Sequence, residues 1–557
     1  MERSHVFAWG LALAWLGALV AACNGCHGTP RADSAQTVSQ GGGGPTIRLY
    51  AIANLAGALE PCGCTKDQLG GIDHLAAFVA DDKKRAEGSL VIAAGPTMFL
   101  DPKLDPSRAT QDKWKGEAIS ESLADIGLSA FTPGFNDWAA GAAVFAALAK
   151  GAGAPVVAAN LEGAGATKSI VREIAGIKVG ITGVSTPEYE GARPEGVTVK
   201  DAAASLKGAA AELRAQGANV LIGLASVPRG EALRLAEAVP DLAVLVVGKP
   251  VDGGEANDAP PPPVLVGKVL VIGTSNHLQT VGVVDLFVHG KSFQFQDATG
   301  VSNAESILSI SKRIRDLETR LASWEKDPSV RPEDIAARRA DLAKLHDEKD
   351  RLSNPPAPKA GSFFRYSLVE VRAKLGGDAK VEGRMKGYYR RVNDHNKTAF
   401  ADRKPPATSP GQSRYAGIDV CETCHEEAKN VWDKTAHARA YATLSSQFKE
   451  FNLDCVSCHV TGYEKPGGST VTVNASLRDV QCEECHGPGQ AHAKAPKKPG
   501  LITREPKPDM CVSACHHPPH VEGFDPVKAK QFIVGPGHGM PENAQWPAWA
   551  VDAGTQR

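Results

Sequence analysis

Eight of the twelve cysteines of this chain fall between Cys421 and Cys515, in four pairs, and a histidine directly follows each pair. The runs are Cys421-Glu422-Thr423-Cys424-His425, Cys455-Val456-Ser457-Cys458-His459, Cys482-Glu483-Glu484-Cys485-His486 and Cys511-Val512-Ser513-Ala514-Cys515-His516. The first three are C-x-x-C-H; the fourth carries one extra residue. This spacing fits one chemistry closely: two thiols add across the vinyl groups of a haem, and the adjacent imidazole binds the iron. Zinc ribbons also use C-x-x-C pairs, but zinc has no need of a histidine after each one. The expectation is haem c at four places, attached through Cys421, Cys424, Cys455, Cys458, Cys482, Cys485, Cys511 and Cys515. His425, His459, His486 and His516 are then the proximal ligands. Residues 414–557 also lack the aliphatic runs that a packed core of that size requires. Haem would supply the missing apolar volume, and without it the segment should be largely unfolded.

Nine histidines lie in that segment, so five are not proximal. A second histidine across the iron makes a low-spin electron carrier, whereas an open position takes a small molecule. His437, in the helix-like run after the first motif, His492 after CHGPGQAH, and His538 in GPGHGM are the distal candidates. His517 and His520 abut the fourth motif and are weaker ones.

At 557 residues the chain is too long for one domain, since about 150 residues per domain is usual. Residues 1–22 have the form of a secretory signal, Arg3 and then an apolar run too short to span a membrane. Val20-Ala21-Ala22-Cys23 is similar to a bacterial lipoprotein signal, with Cys23 the lipidated residue and 23–46 the linker behind the anchor. Cys23-Asn24-Gly25-Cys26-His27 also reads as an attachment motif for a fifth haem. Both readings cannot use Cys23, and the Gly/Ser-rich linker that follows favours the lipid. A net charge of −1 gives no electrostatic case for nucleic acid.

Residues 47–292 alternate short β-branched runs (IRLYAIA, SLVIAAG, APVVAAN, KVGITGV, NVLIGLA, LAVLVVG, PVLVGKVLVIG) with Ala-rich helical stretches. That pattern predicts an α/β domain with sheets buried on both faces. Residues 303–353 change period: Ile307, Ile310, Ile314, Leu317, Leu321 and Trp324, then Ile335, Leu342, Leu345 and Leu352 after a break, predict a helical hairpin. It is either a spacer or oligomerisation element, or a hairpin packed on its own domain. Residues 354–413, Pro-rich at their ends, read as a connector to a last domain at 414–557.

Two resemblances add to this. CETCHEEAKNVWDKTAHARA, CVSCHVTGYEKPGG, LRDVQCEECHGPGQAH and the fourth motif with HVEGFD beyond it resemble the tetrahaem cytochrome c-554 family. The resemblance implies a mostly helical multihaem module, His/His ligation of most irons, and one haem often left open. The fourth motif departs from the family's two-residue spacing. Residues 47–292 resemble the calcineurin-like metallophosphoesterases of the 5′-nucleotidase branch, which implies an αββα sandwich with two metals at the strand ends. The ligand motifs of that family are replaced here. Asn54-Leu55-Ala56 stands for Asp-x-His, Gly95-Pro96 for Gly-Asp, and Gly134-Phe135-Asn136-Asp137 for Gly-Asn-His-Glu. Ser226 has no histidine near it, and Gly248-Lys249-Pro250-Val251 stands for Gly-His-x-His. The expectation is a scaffold without hydrolase activity. Cys62 and Cys64, in Glu60-Pro61-Cys62-Gly63-Cys64, form a candidate redox or soft-metal pair with His74 nearby; the bland alternative is a local disulfide or two inert thiols.

The sequence therefore predicts an exported, lipid-anchored multihaem c-type cytochrome on the periplasmic side of a bacterial membrane or at the cell surface. It would carry electrons to or from redox partner proteins, with the α/β domain as a docking or substrate-binding scaffold. The rival expectations are a redox enzyme acting on a small nitrogen or sulfur compound at an open haem, and a metal-dependent phosphoesterase fused to a cytochrome.

Overall fold

The computed structural model describes residues 44–552 except 62–67, 164, 189, 250–256, 326, 354, 474, 518–519 and 522–523. The signal, Cys23, Cys26, His27, Cys62 and Cys64 lie outside the described residues.

Twelve strands form two six-stranded sheets. They are β1 (Ile47–Ala53), β2 (Gly88–Ala94), β3 (Leu128–Thr132), β4 (Ser169–Ile174), β5 (Ile177–Ser185), β6 (Val220–Ser226), β7 (Val244–Gly248), β8 (Val264–Val266), β9 (Val269–Ile272), β10 (Thr280–Phe287), β11 (Gln296–Asp297) and β12 (Phe363–Glu370). The first sheet runs β11-β12-β10-β1-β2-β3 and the second β8-β9-β7-β6-β5-β4. Both mix parallel and antiparallel pairs; β1 is parallel to β2 and antiparallel to β10.

Side chains alternate across each strand, and here both faces are apolar. On β1, Ile47, Leu49, Ala51 and Ala53 enter the core between the sheets with Ile222, Leu224, Val246 and Ile272. Tyr50 and Ile52 point the other way, under the helices α1 (Ile72–Asp82), α2 (Ala109–Ile126) and α3 (Ala142–Gly151). The second sheet repeats this with Leu221 and Ala225 beneath α4 (Ala202–Ala215) and α5 (Arg229–Ala238). The result is a four-layer αββα sandwich, the architecture of the phosphoesterase-like fold.

The α/β domain does not end at residue 292. β12 comes from the segment read as a connector and pairs with β10 along its whole length. The hairpin, α6 (Ala304–Trp324) and α7 (Pro332–Ser353), is inserted before it and buries Ile310, Ile314 and Leu345 between its own helices. At its base Asn303 Nδ2 donates to the Leu352 carbonyl at 3.3 Å, so it leaves and re-enters the sheet at one place. The connector also forms α8 (Ala379–Ala399). Its Val381, Met385, Tyr388 and Val392 pack into the core beneath α1 and α2, and Arg391 lies 3.9 Å over the Trp114 ring.

From residue 414 onward the chain forms short helices with a small apolar core of Tyr441, Val456, Val460 and Val471. Polar side chains do much of the organising. Glu483 is buried and accepts backbone N–H groups of Ala416, Gly417 and Gly489 at 2.8, 2.7 and 2.6 Å. Gln481 accepts from Ile418 N at 2.8 Å. Both residues flank Cys482, so the third motif is tied to the chain entering the first.

Candidate functional site

Each attachment motif is a helical turn. His425 N–H bonds the Cys421 carbonyl at 3.0 Å, and Cys482–His486 is itself a short helix. Residues three and four apart share a helix face, so both thiols and the imidazole project to one side. The longer fourth motif keeps this geometry. Cys515 and His516 both bond back to the Cys511 carbonyl, at 3.2 and 2.8 Å, and the extra residue is absorbed in the turn of Asp509–Ala514.

Three of the four proximal histidines face a distal candidate. Ring centroids are 6.3 Å apart for His425 and His492, 6.3 Å for His437 and His516, and 6.2 Å for His486 and His538. Two imidazoles that bind one metal from opposite sides, each through a bond of about 2 Å, stand with their centroids about 6 Å apart. The spacing therefore fits bis-histidine ligation of an iron at each pair. Nitrogen geometry fits as well. Nδ1 of His459, His486 and His538 meets the backbone carbonyls of Ala440, Thr503 and Ile533 at 2.5, 2.7 and 2.7 Å. Such a bond fixes the tautomer and leaves Nε2 for a metal. Burial pushes the pKa values of His437, His516 and His538 down, which keeps them neutral with a lone pair to give.

His459 of the second motif differs. Among the described residues no ring contact sets an imidazole opposite it. His517 and His520 face each other instead, at 6.2 Å.

The attachment sites are grouped in two couples. The Cys421 thiol lies beside that of Cys482, and the Cys458 thiol beside that of Cys515. The first motif thus adjoins the third, and the second adjoins the fourth.

At the strand ends of the α/β domain, where the metallophosphoesterase ligands would stand, backbone fills the space. A Cβ added to Gly248 would lie 2.0 Å from the Gly95 carbonyl oxygen, and one on Gly95 would lie 2.2 Å from Gly134 N. Asn54 Oδ1 accepts the Lys249 N–H at 2.6 Å. Ser226 Oγ donates to the Thr132 carbonyl at 3.2 Å. The acid of that region, Asp137, is spent on the chain: its oxygens accept from Thr97, Met98 and Gly134 N–H at 2.8, 2.6 and 2.8 Å. Burial pushes its pKa up to about 6 against the pull of those three donors. A pair of divalent cations does not fit this arrangement. Among the described residues, no group of three or more His, Cys, Asp or Glu side chains could hold a metal ion.

Comparison with known proteins bears on the two regions separately. The sequence profile of the cytochrome c554 and c-prime family matches residues 420–487. Cytochrome c-554 of Nitrosomonas europaea is 32% identical over 134 aligned positions, covering 18% of this chain and 57% of that protein. The match thus spans little more than half the length of that relative. The C-terminal region resembles the cytochrome c554 family. The structure of a 5′-nucleotidase precursor from Thermus thermophilus superposes with a TM-score of 0.43 at 17% identity, covering 71% of this chain and 68% of that one. The sulfate thiohydrolase SoxB of the same species, in complex with glycerol, gives 0.43 at 14%, with 71% and 69% covered. The calcineurin-like phosphoesterase YfkN of Bacillus subtilis gives 0.35 at 17%, with 44% and 85% covered. These superpositions are loose, and the sandwich architecture stands on its own strand order.

Sequence reasoning missed the contacts between the two regions. Arg108, at the N-cap of α2, and Gln111 and Lys115 within it meet Asn452, Leu453 and Asp454 just before the second motif. These residues lie more than 300 positions apart and belong to no motif, so no local signal pointed to them.

Proposed function

We propose that this protein is an exported multihaem c-type cytochrome that carries electrons between redox partner proteins. The observation behind this reading is the set of three facing imidazole pairs, His425/His492, His516/His437 and His486/His538, each on a motif with two thiols. Haem c bound at the four motifs would supply reversible one-electron chemistry. The chain's own part is to hold neutral imidazoles in fixed tautomers, and to bring attachment sites into contact in couples. Lipidation of Cys23 would tether the protein to the periplasmic side of a membrane or the cell surface. Among the described residues no helix is long and apolar enough to cross a membrane. The α/β sandwich serves as scaffold, since its strand ends are closed by the chain itself.

A second reading, favoured by His459, is that one haem keeps an open position and binds a small nitrogen or sulfur compound. One experiment tests both. The full chain is matured in a host with c-type haem machinery, its haem is counted as the pyridine haemochrome, and spin states are read from oxidised and reduced spectra. Four covalent haems, three low-spin and one high-spin, support the carrier with an open site. Four low-spin haems remove the second reading. Three haems point to Cys511/Cys515 as defective. None returns the cysteine pairs to zinc and overturns the proposal.

A further inference from the structure

The chain entering the second motif is held from outside its own domain at every residue. Lys449 pairs with Glu60 at 2.5 Å and lies 4.4 Å over the Tyr389 ring. Glu450 accepts from Asn393 Nδ2 at 3.1 Å, and Phe451 N–H donates to Asn393 Oδ1 at 3.2 Å. The Phe451 carbonyl accepts from Asn396 Nδ2 at 2.8 Å. Buried Gln111 takes the Leu453 N–H on its amide oxygen at 3.0 Å and reaches Asn452 Oδ1 at 3.3 Å. Asp454 closes the set, bonded to Lys115 at 2.6 Å and to Arg108. Every partner belongs to the α/β sandwich or to α8, which packs into its core. The next residue is Cys455, the first attachment thiol of the second motif.

We infer that the α/β domain is the frame of the second haem site: Arg108 and Lys115 act through Asp454 as positioning residues that fix the Cys455–His459 turn and set the charge beside it. The inference rests on the reading of Cys455, Cys458 and His459 as a haem site, and it does not require that site to be open. Lys115 and Arg108 are cations in a half-buried place, where charges are screened less than in water. Asp454 is the carboxylate they share, with Asp112 bonded to Arg108 at 3.0 Å, Asp101 in the same cluster, and His520 of the haem region within its field. A negative charge beside an iron favours its oxidised form, so each partner of the cluster moves the potential in a defined direction.

The test is a spectropotentiometric titration of the mature four-haem protein. The wave of the second haem is assigned by its loss in Cys458→Ser. Asp454→Asn removes the anion and keeps both cations, so that wave moves to higher potential. Arg108→Gln with Lys115→Met leaves Asp454 uncompensated and moves the same wave lower; Lys115→Met alone serves if the pair fails to mature. Both changes loosen the same contact, so a merely structural role would move the wave the same way in each. Opposite shifts confined to the second haem support the inference. No shift, shifts of one sign, or equal shifts in all four haems overturn it. A low-spin second haem in the unaltered protein would remove the open-site reading and leave these outcomes intact.

Discussion

Replacing His492 with glycine is the sharpest probe of the facing pairs. Its ring stands 6.3 Å from that of His425, with the planes 23° apart, and no other described imidazole is in ring contact with His425. Three facing pairs and one unpaired proximal histidine predict three low-spin haems and one high-spin haem. His492→Gly converts one more, giving two of each. The low-spin electron paramagnetic resonance signal then falls by about one third and the high-spin signal doubles. Carbon monoxide bound by the reduced protein rises from one equivalent to two. A ligand tethered nearby acts at an effective concentration on the order of millimolar, so free imidazole in that range should refill the gap and restore the third low-spin signal. His492 sits in a five-residue helix on a half-exposed face, so its loss leaves haem content unchanged. An unaltered ratio of spin states at full haem content would show that His492 is not a ligand and that the 6.3 Å spacing is incidental.

Three further outcomes follow from the packing and the charges. Ile222→Ala, in the core between the sheets and fully buried, should cost about 2–5 kcal/mol in urea unfolding of the α/β domain, while exposed Val527→Ala stays within about 0.5 kcal/mol. Deleting residues 304–352 and joining the ends, which meet at Asn303 and Leu352, should leave haem content and the sandwich intact; light scattering then decides the hairpin's role, because a dimer that becomes a monomer marks it as the oligomerisation element. Burial pushes the pKa of Asp454 up, but Lys115 and Arg108 outweigh it and hold the group far below the usual carboxylate range. Its contribution is therefore complete above an unfolded value of about 3.9 and is lost as pH falls through the depressed one. Proteolytic cleavage within residues 447–454 should rise as the medium is acidified below about 4 in the unaltered protein, and should be high and flat with pH in Asp454→Asn.

The central strands were legible because they are short apolar runs buried on both faces, as β1 shows with Leu49 toward one core and Tyr50 toward the other, whereas β11 (Gln296–Asp297) carries no such run and APVVAAN at 154–160 forms no strand. The extent of the domain was less so. β12 reads as a strand from FFRYSLVE, but its neighbour β10 lies across the hairpin insertion, and nothing local says which strand it will join. The haem region divides the same way. Motif spacing marks the thiols and the histidines beside them as candidates, and short flanking patterns mark His437, His492 and His538 as candidate partners. Which distal candidate meets which motif is a tertiary matter: His437 follows the first motif in the chain, yet its ring faces His516 of the fourth. The grip on Asp454 was least legible of all, because ion pairs between residues 339 and 346 positions apart leave no periodicity or spacing behind.

The described strand ends of the sandwich are closed by the chain itself. Close backbone and one buried acid fill them. Gly95, Gly134 and Gly248 come close enough to exclude side chains, and Asp137 satisfies three N–H groups that would otherwise be buried without partners. An unmet buried donor costs about 1–3 kcal/mol, so the three bonds to Asp137 stabilise the closed strand ends. The place where the sandwich meets residues 449–454, through α2, α8 and Glu60, is where its charged and amide side chains are committed to the haem region. The strand ends are closed by the chain's own backbone, while charged and amide side chains of the same domain reach the stretch that leads to Cys455.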